Sequence, residues 1–250
     1  MLTEERQQMI MSLLKQQGTV KLQELVEHLQ ASESTIRRDL SQLEELTLLK
    51  RVHGGAALTQ RKGLEPTILE KKNKKVAEKQ RIAKIASSFI ENGDCIYLDA
   101  GTTTMEMIPF MKDRNVIVLT NGLMHISKLM ESGIKTLLVG GQIKVSTNAT
   151  VGSTAIEFLK NYRFDKCFLG MNGVHSGLGF TTPDPDEAIL KKTALQLSLE
   201  SYVLADSTKL NEATFTRVAD LSEATIITDN LDESALETIR QHPNAKVVTA

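Results

Sequence analysis

Ala31-Ser32-Glu33-Ser34-Thr35-Ile36-Arg37-Arg38-Asp39-Leu40 is the stretch of this 250-residue chain that decides its amino-terminal fold. Ile36, Leu40 and Leu43 recur at i, i+4 and i+7, so one helix face is apolar, and Ser32 stands where a side-chain oxygen caps a helix start. Ahead of it, Leu22, Leu25, Val26 and Leu29 form a second apolar stripe, and only Gln30-Ala31-Ser32 separates the two, which is helix-turn-helix spacing. A third stripe, Ile10, Leu13 and Leu14, comes after the acidic Glu4 and Glu5 and stops at Gly18. With the apolar positions inward, Ser34, Thr35, Arg37 and Arg38 face outward near the start of the last helix. Major-groove recognition uses these side chains, since Arg forks onto guanine and Ser or Thr reaches bases and phosphates. Asp39 is read either as orienting one of the two arginines or as a contact in its own right. Lys50-Arg51-Val52-His53-Gly54-Gly55-Ala56 then reads as a basic strand ending in a Gly-Gly turn, a wing that grips phosphate. The candidate DNA-reading set is Ser32, Ser34, Thr35, Arg37, Arg38, Lys50, Arg51 and His53. Its bland alternative is a three-helix packing module with exposed arginines.

Charge supports a local rather than a global nucleic-acid surface. The chain carries a net −1, but residues 1–57 contribute −1, residues 58–84 +6 and residues 85–250 −6. The basic excess lies between Arg61 and Lys84, including Lys71-Lys72-Asn73-Lys74-Lys75, and a solvated helix face accounts for it as simply as a partner does. Hydrophobic residues at 41% and charged residues at 24% exclude a disordered or fibrous chain, and 250 residues favour two domains. Apolar runs stop at about five residues, against roughly 18 for a spanning helix. The start Met1-Leu2-Thr3-Glu4-Glu5-Arg6 has no export-signal pattern, so a cytoplasmic protein is expected. Cys95 and Cys167 lie in apolar strand-like surroundings without ligand-spaced partners, and are expected as core thiols with no metal or cofactor.

Leu58 to Pro66 lacks periodicity and holds Gly63 and Pro66, which places a linker over 58–75 between a winged helix-turn-helix domain, 1–57, and a larger domain, 76–250. Ile82, Ile85, Ala86, Phe89 and Ile90 make the next helical stripe. From Cys95 onward, strand-like runs alternate with helices: Cys95–Leu98, Val116–Leu119, Thr136–Val139, Lys166–Leu169, Tyr202–Ala205 and Ala224–Ile227. That alternation predicts an α/β domain on a mainly parallel sheet, with ligand beyond the carboxyl ends of the strands.

The residues just past the ends of those strands are small or polar. Asp99-Ala100-Gly101-Thr102-Thr103-Thr104 opens a helix in the manner of an anion site. Asn121, Gly140-Gly141 and Asp206-Ser207-Thr208-Lys209 stand after later strands, as do Gly170-Met171-Asn172-Gly173; Asp99, Asn121 and Asp206 suit sugar hydroxyls, and Lys209 suits phosphate. Gly179–Ala188, with Asp184, Asp186 and Glu187, reads as a stiff lid or hinge, or simply as an acidic helix start. Neither Gly-x-Gly-x-x-Gly nor Gly-x4-Gly-Lys-Ser/Thr is present at the first strand. Pro109 is expected to kink or shorten the helix after the phosphate-type loop.

Arg6, the 31–40 stretch and His53-Gly54-Gly55-Ala56 resemble the DNA-binding signature of DeoR-family bacterial transcription repressors. Lys21 departs from that pattern, standing where a small capping hydroxyl is usual, and implies a weaker cap. Asp99–Thr104, Thr120-Asn121, Gly140-Gly141, Asp206–Lys209 and Thr228-Asp229 are similar to the sensor domain of the same family, whose Rossmann-like fold resembles ribose-5-phosphate isomerase. The resemblance implies a sugar-phosphate effector with its phosphate at Gly101–Thr104. Tyr97–Thr104 with Gly179–Ala188 is similar to fructose-operon repressors of Gram-positive bacteria, which implies fructose 1-phosphate, with another sugar phosphate such as tagatose 6-phosphate as the alternative. The expected partners are double-stranded operator DNA, the effector and further copies of the chain, as dimer or tetramer, with no membrane. The competing readings are a sugar-phosphate isomerase using Asp99, Asp186, Glu187 or Asp206 as base, and an architectural DNA binder without ligand.

Overall fold

The computed structural model describes residues 3–46, 48–52, 54–58, 66–231, 242 and 244–250, and the chain divides into two units, Met1–Arg61 and Lys62–Ala250. In the first unit, α1 (Thr3–Gln17), β1 (Thr19–Lys21), α2 (Leu22–Leu29), α3 (Glu33–Glu45), β2 (Leu49–Val52) and β3 (Gly55–Leu58) surround a core of Ile10, Leu14, Leu25, Ile36, Leu40, Leu43 and Leu49. These are the stripes expected from the sequence. Ser32 caps α3 by accepting a hydrogen bond from the Thr35 amide at 3.2 Å, whereas Lys21 gives α2 no side-chain cap.

The sequence pattern does not predict the strand β1. It pairs antiparallel with β3, which also pairs with β2, giving the order β1-β3-β2. The two glycines of the turn have different reasons. Gly54 has φ +79°, a left-handed conformation that glycine adopts freely, while a Cβ on Gly55 would run into the Val20 carbonyl oxygen of β1.

The second unit begins earlier than the sequence suggests. Residues 68–72 form a helix, α4 (Ile68–Lys72), closed by a capping box in which Thr67 accepts from the Glu70 amide and the Glu70 carboxylate accepts from the Thr67 amide. At the other end Leu58 pairs with Leu49 inside β3. The 58–75 linker is therefore too long at both ends: local capping and strand pairing claim residues that composition alone assigns to a connection.

After α4 come α5 (Val76–Ser88), β4 (Cys95–Leu98), α6 (Thr102–Met105), β5 (Ile117–Thr120), α7 (Leu123–Glu131), β6 (Lys135–Leu138), β7 (Gln142–Lys144), β8 (Ala149–Val151) and α8 (Ser153–Leu159). The chain continues through β9 (Phe164–Gly170), β10 (Gly173–His175), β11 (Gly179–Thr182), α9 (Pro185–Gln196), β12 (Ser198–Leu204), β13 (Thr216–Ala219), β14 (Thr225–Thr228) and β15 (Lys246–Thr249). Seven strands make one parallel sheet in the order β15-β14-β12-β9-β4-β5-β6. Strand side chains alternate between two apolar layers: Tyr97, Cys167 and Leu169 enter one, Ile96, Leu98 and Phe168 the other. A sheet covered on both faces explains why its strands read as continuous apolar runs. Cys167 is buried and Cys95 half-buried, both as free thiols. Pro109 shortens the first crossover, because α6 ends at Met105 and Pro109 opens a separate 3-10 turn, Ile108–Met111.

Candidate functional site

The chain leaves β4 toward β5 and β6 on one side, then returns to β9, β12, β14 and β15 on the other. The carboxyl ends of β4 and β9 thus form the topological switch point, where open parallel sheets bind ligands. Asp99 ends β4 there. Its buried carboxylate accepts from the Gly170 amide of β9 at 3.0 Å and from the Lys191 ammonium of α9.

The Gly101–Thr104 loop lies against that pair, but its members divide in role. The Thr104 hydroxyl is fully buried, donates toward the Asp99 and Gly101 carbonyls and accepts from the Gly101 amide at 3.0 Å, so it fixes the loop's shape. Thr102 and Thr103 have no hydrogen-bond partner for their hydroxyls among the described residues, and the first-turn amides of a helix have none within it. Asn121 is also engaged: its Oδ1 accepts from the Ala100 amide at 3.0 Å and its Nδ2 donates to the Thr150 carbonyl at 3.1 Å. It therefore braces the loop.

The remaining sequence candidates lie around this centre. Gly140-Gly141 come after β6 and Asp206–Lys209 after β12, each two strands from β4, about 10 Å across the sheet. The Asp206 carboxylate caps a 3-10 turn, Ser207–Lys209, and the Ser207 amide donates to Asp229 at 2.7 Å. Asp184 caps α9 through the Asp186 and Glu187 amides, and together with Glu187 binds the ammonium of Lys144, at 3.0 and 2.9 Å. The Thr147 hydroxyl adds a bond to Glu187 at 2.8 Å, while Asp186 stays exposed. Residues 179–188 are thus strand β11 and a capped helix start. Sequence reasoning missed Lys144, which sits in a short hairpin among exposed Ile143 and Val145, and His125, which an apolar helix face conceals. His125 is buried beside the loop, with Nε2 3.4 Å from Thr104 Oγ1, and burial first of all lowers its pKa to about 4.

In the first unit, Ser34, Arg37 and Arg38 are exposed on the outer face of α3, and Lys50 and Arg51 on β2. Ser32, Ser34 and Thr35 hydroxyls bond one another at 2.9 and 2.7 Å. Arg37 pairs with Glu33 at 2.6 Å, with both side chains more than half exposed; such pairs contribute only about 0.3–0.5 kcal/mol, so this arginine exchanges partners readily. Arg51 donates to the Ser41 hydroxyl at 3.1 Å and so also ties the wing to α3. His53 lies outside the described residues. Asp39 orients neither Arg37 nor Arg38. It is buried and takes a two-pronged bond from Arg6, with Nη2 3.0 Å from Oδ1, pinning α3 to α1. Among the described residues no helix is long and apolar enough to cross a membrane, and no group of three His, Cys, Asp or Glu is placed to hold a metal ion.

A winged helix-turn-helix with arginines exposed on its third helix, in one chain with a parallel α/β domain that gathers polar side chains at its switch point, defines a DNA-binding regulator. Residues 6–62 match the DeoR-like helix-turn-helix domain and residues 74–230 the DeoR C terminal sensor domain. The chain belongs to the DeoR family of transcriptional regulators. It is 50% identical to the uncharacterized HTH-type transcriptional regulator FruR of Bacillus subtilis (strain 168), over 99% of both chains. It is 35% identical to the lactose phosphotransferase system repressor of Staphylococcus aureus (strain NCTC 8325 / PS 47), over 95% of this chain and 96% of that one. Among solved structures it is similar to ribose 5-phosphate isomerase A of Methanocaldococcus jannaschii, at 19% identity and a TM-score of 0.40 over 53% of each chain.

Proposed function

We propose that the chain is a transcriptional repressor that binds an operator through α3 and the wing and releases it when the sensor domain takes up a phosphorylated sugar. The carrying observation is the outer face of α3, where Arg37 and Arg38 stand exposed beside the basic strand of the wing. Arg37 and Arg38 read guanine edges, Ser34 and Thr35 reach bases or phosphates, and Lys50, Arg51 and His53 grip the backbone. Two such domains, in a dimer or tetramer, read half-sites about one helical turn apart.

The effector is a sugar phosphate, held with its phosphate on the Thr102 and Thr103 hydroxyls and first-turn amides, and its hydroxyls toward Asp99 and Lys191. Fructose 1-phosphate is the first choice, supported by the resemblance of residues 97–104 and 179–188 and by the relative named FruR. Another sugar phosphate, such as tagatose 6-phosphate, is the second. Moving nearly all of the protein from the operator-competent to the released arrangement requires roughly 5.5 kcal/mol of differential affinity, within reach of a phosphate with several hydroxyl bonds.

Fluorescence anisotropy on an operator fragment selected with the wild-type protein tests both halves. Arg37→Ala and Arg38→Ala each lose sequence-specific binding, by about 1–3 kcal/mol for a forked base contact, while sugar-phosphate stabilisation persists. Normal operator binding by both variants removes the groove assignment. Thr103→Ala weakens release by fructose 1-phosphate; unchanged release removes the phosphate placement.

A further inference from the structure

The hairpin of β7 and β8, residues 142–151, touches both the crevice and the place where the chain enters the sensor domain. Two-stranded hairpins are marginal by themselves, so the position of this one is set by what holds it. On the sheet side the β8 strand is held by backbone bonds, Leu123 amide to Asn148 carbonyl and Thr150 amide to Asn121 carbonyl, both at 2.9 Å, and two side-chain attachments reach the anion loop and α9. Asn121 bridges the Ala100 amide of the anion loop to the Thr150 carbonyl of β8. Lys144 and Thr147 bind Glu187 of α9, and one turn further along the same helix Lys191 binds Asp99. On the far side, the Ser146 carbonyl at the hairpin tip accepts the first amide of α4, Ile68, at 2.9 Å.

α4 is the first described helix after the connection from the DNA-binding domain, and it has only five residues. A helix that short has no stability of its own in water. Its placement therefore depends on its anchors: the Ser146 carbonyl at its start, and the buried Lys79 ammonium of α5 on its Lys71 carbonyl near the end.

We infer that the β7–β8 hairpin is the coupling element of the sensor, a strut that relays occupation of the Asp99–Thr104 loop to α4 through Lys144, Thr147 and the Ser146–Ile68 bond. This rests on the proposed sugar-phosphate site. A sugar hydroxyl arriving at Asp99 and Lys191 competes within that ion pair, and the loop is joined to β8 by Asn121, so the Asn121 and Glu187 attachments of the hairpin are loaded together. Lys144 and Thr147 act by positioning and do not touch the effector. A ligand shifts such an equilibrium only through its different affinity for the two arrangements, and the hairpin is where that difference reaches the linker-side helix.

The test uses the full-length chain. Ile68 occupies the first helical position, where proline fits, and Thr67 already has the extended backbone that a following proline demands, φ −61° and ψ 157°. Ile68→Pro thus deletes the amide donor, and Ile68→Ala loses the same side chain but keeps the donor. The reading is the ratio of operator Kd with and without D-fructose 1-phosphate, or D-tagatose 6-phosphate if that is the active probe. Ile68→Pro and Lys144→Met lower this ratio at least about fivefold relative to Ile68→Ala and wild type, with sugar-phosphate Kd within about threefold of wild type. Equal ratios overturn the strut. A second arm needs no effector: hydrogen exchange at residues 68–72 speeds up in Lys144→Met, and unchanged protection also overturns it. Wild-type protein that ignores every sugar phosphate instead removes the proposed effector, and the exchange arm still decides the mechanical link.

Discussion

His125 provides a direct physical test of the loop's architecture. Its ring is buried against Gly122 and Thr104, and burial, opposed in part by the Asp99 charge, lowers its pKa from 6.5 to about 4. The folded protein thus holds a neutral imidazole, while the unfolded chain protonates it near its ordinary pKa. Below that value the unfolded state binds more protons, so stability falls as pH drops from about 6.5 toward about 4 and is unaffected above. From these two values, the loss on going from pH 7.5 to pH 5 is about 2 kcal/mol from this residue alone. His125→Gln removes the titration. Urea unfolding of wild type and variant, monitored by a sensor-domain signal at the two pH values, isolates the residue as the difference of differences. The variant is less stable at pH 7.5, yet loses about 2 kcal/mol less on acidification. Parallel pH profiles would falsify the neutral, enclosed imidazole.

The first unit and the crevice yield three further outcomes. Arg6→Ala leaves the Asp39 carboxylate without its partner and destabilises the DNA-binding domain by about 1–3 kcal/mol, read as an early urea transition that spares the sensor domain. Ser32→Ala removes the α3 cap and costs about 1 kcal/mol by the same measurement, with operator affinity falling in step. Gly122→Ala drives a Cβ into the His125 ring and the Ala100 backbone, so circular dichroism melting shows a lower sensor-domain Tm; an unchanged Tm would mean that the ring is free to move away.

The elements legible in the sequence are those whose signal is local. The α3 helix announces itself through Ile36, Leu40, Leu43 and the Ser32 cap, all within a few turns, and the sheet through apolar runs that a two-sided burial requires. The illegible parts depend on partners distant in sequence. Three residues, Thr19–Lys21, become a strand only because β3 passes beside them. Asp39 stands next in sequence to Arg37 and Arg38, but a buried carboxylate takes the cation that packing brings to it, Arg6. The crevice shows the same division: Asp99–Thr104 is readable as a loop type, yet the engagement of Thr104 and Asn121 inside the fold, and the capture of Asp184 and Glu187 by Lys144, appear only with the third dimension.

The Asp99–Lys191 pair joins residues 92 positions apart, and the strands that flank the crevice, β4 and β9, pair Ile96 with Lys166. During synthesis, then, the Asp99 carboxylate stays without its lysine until α9 has left the ribosome, by which time the whole DNA-binding domain has already emerged.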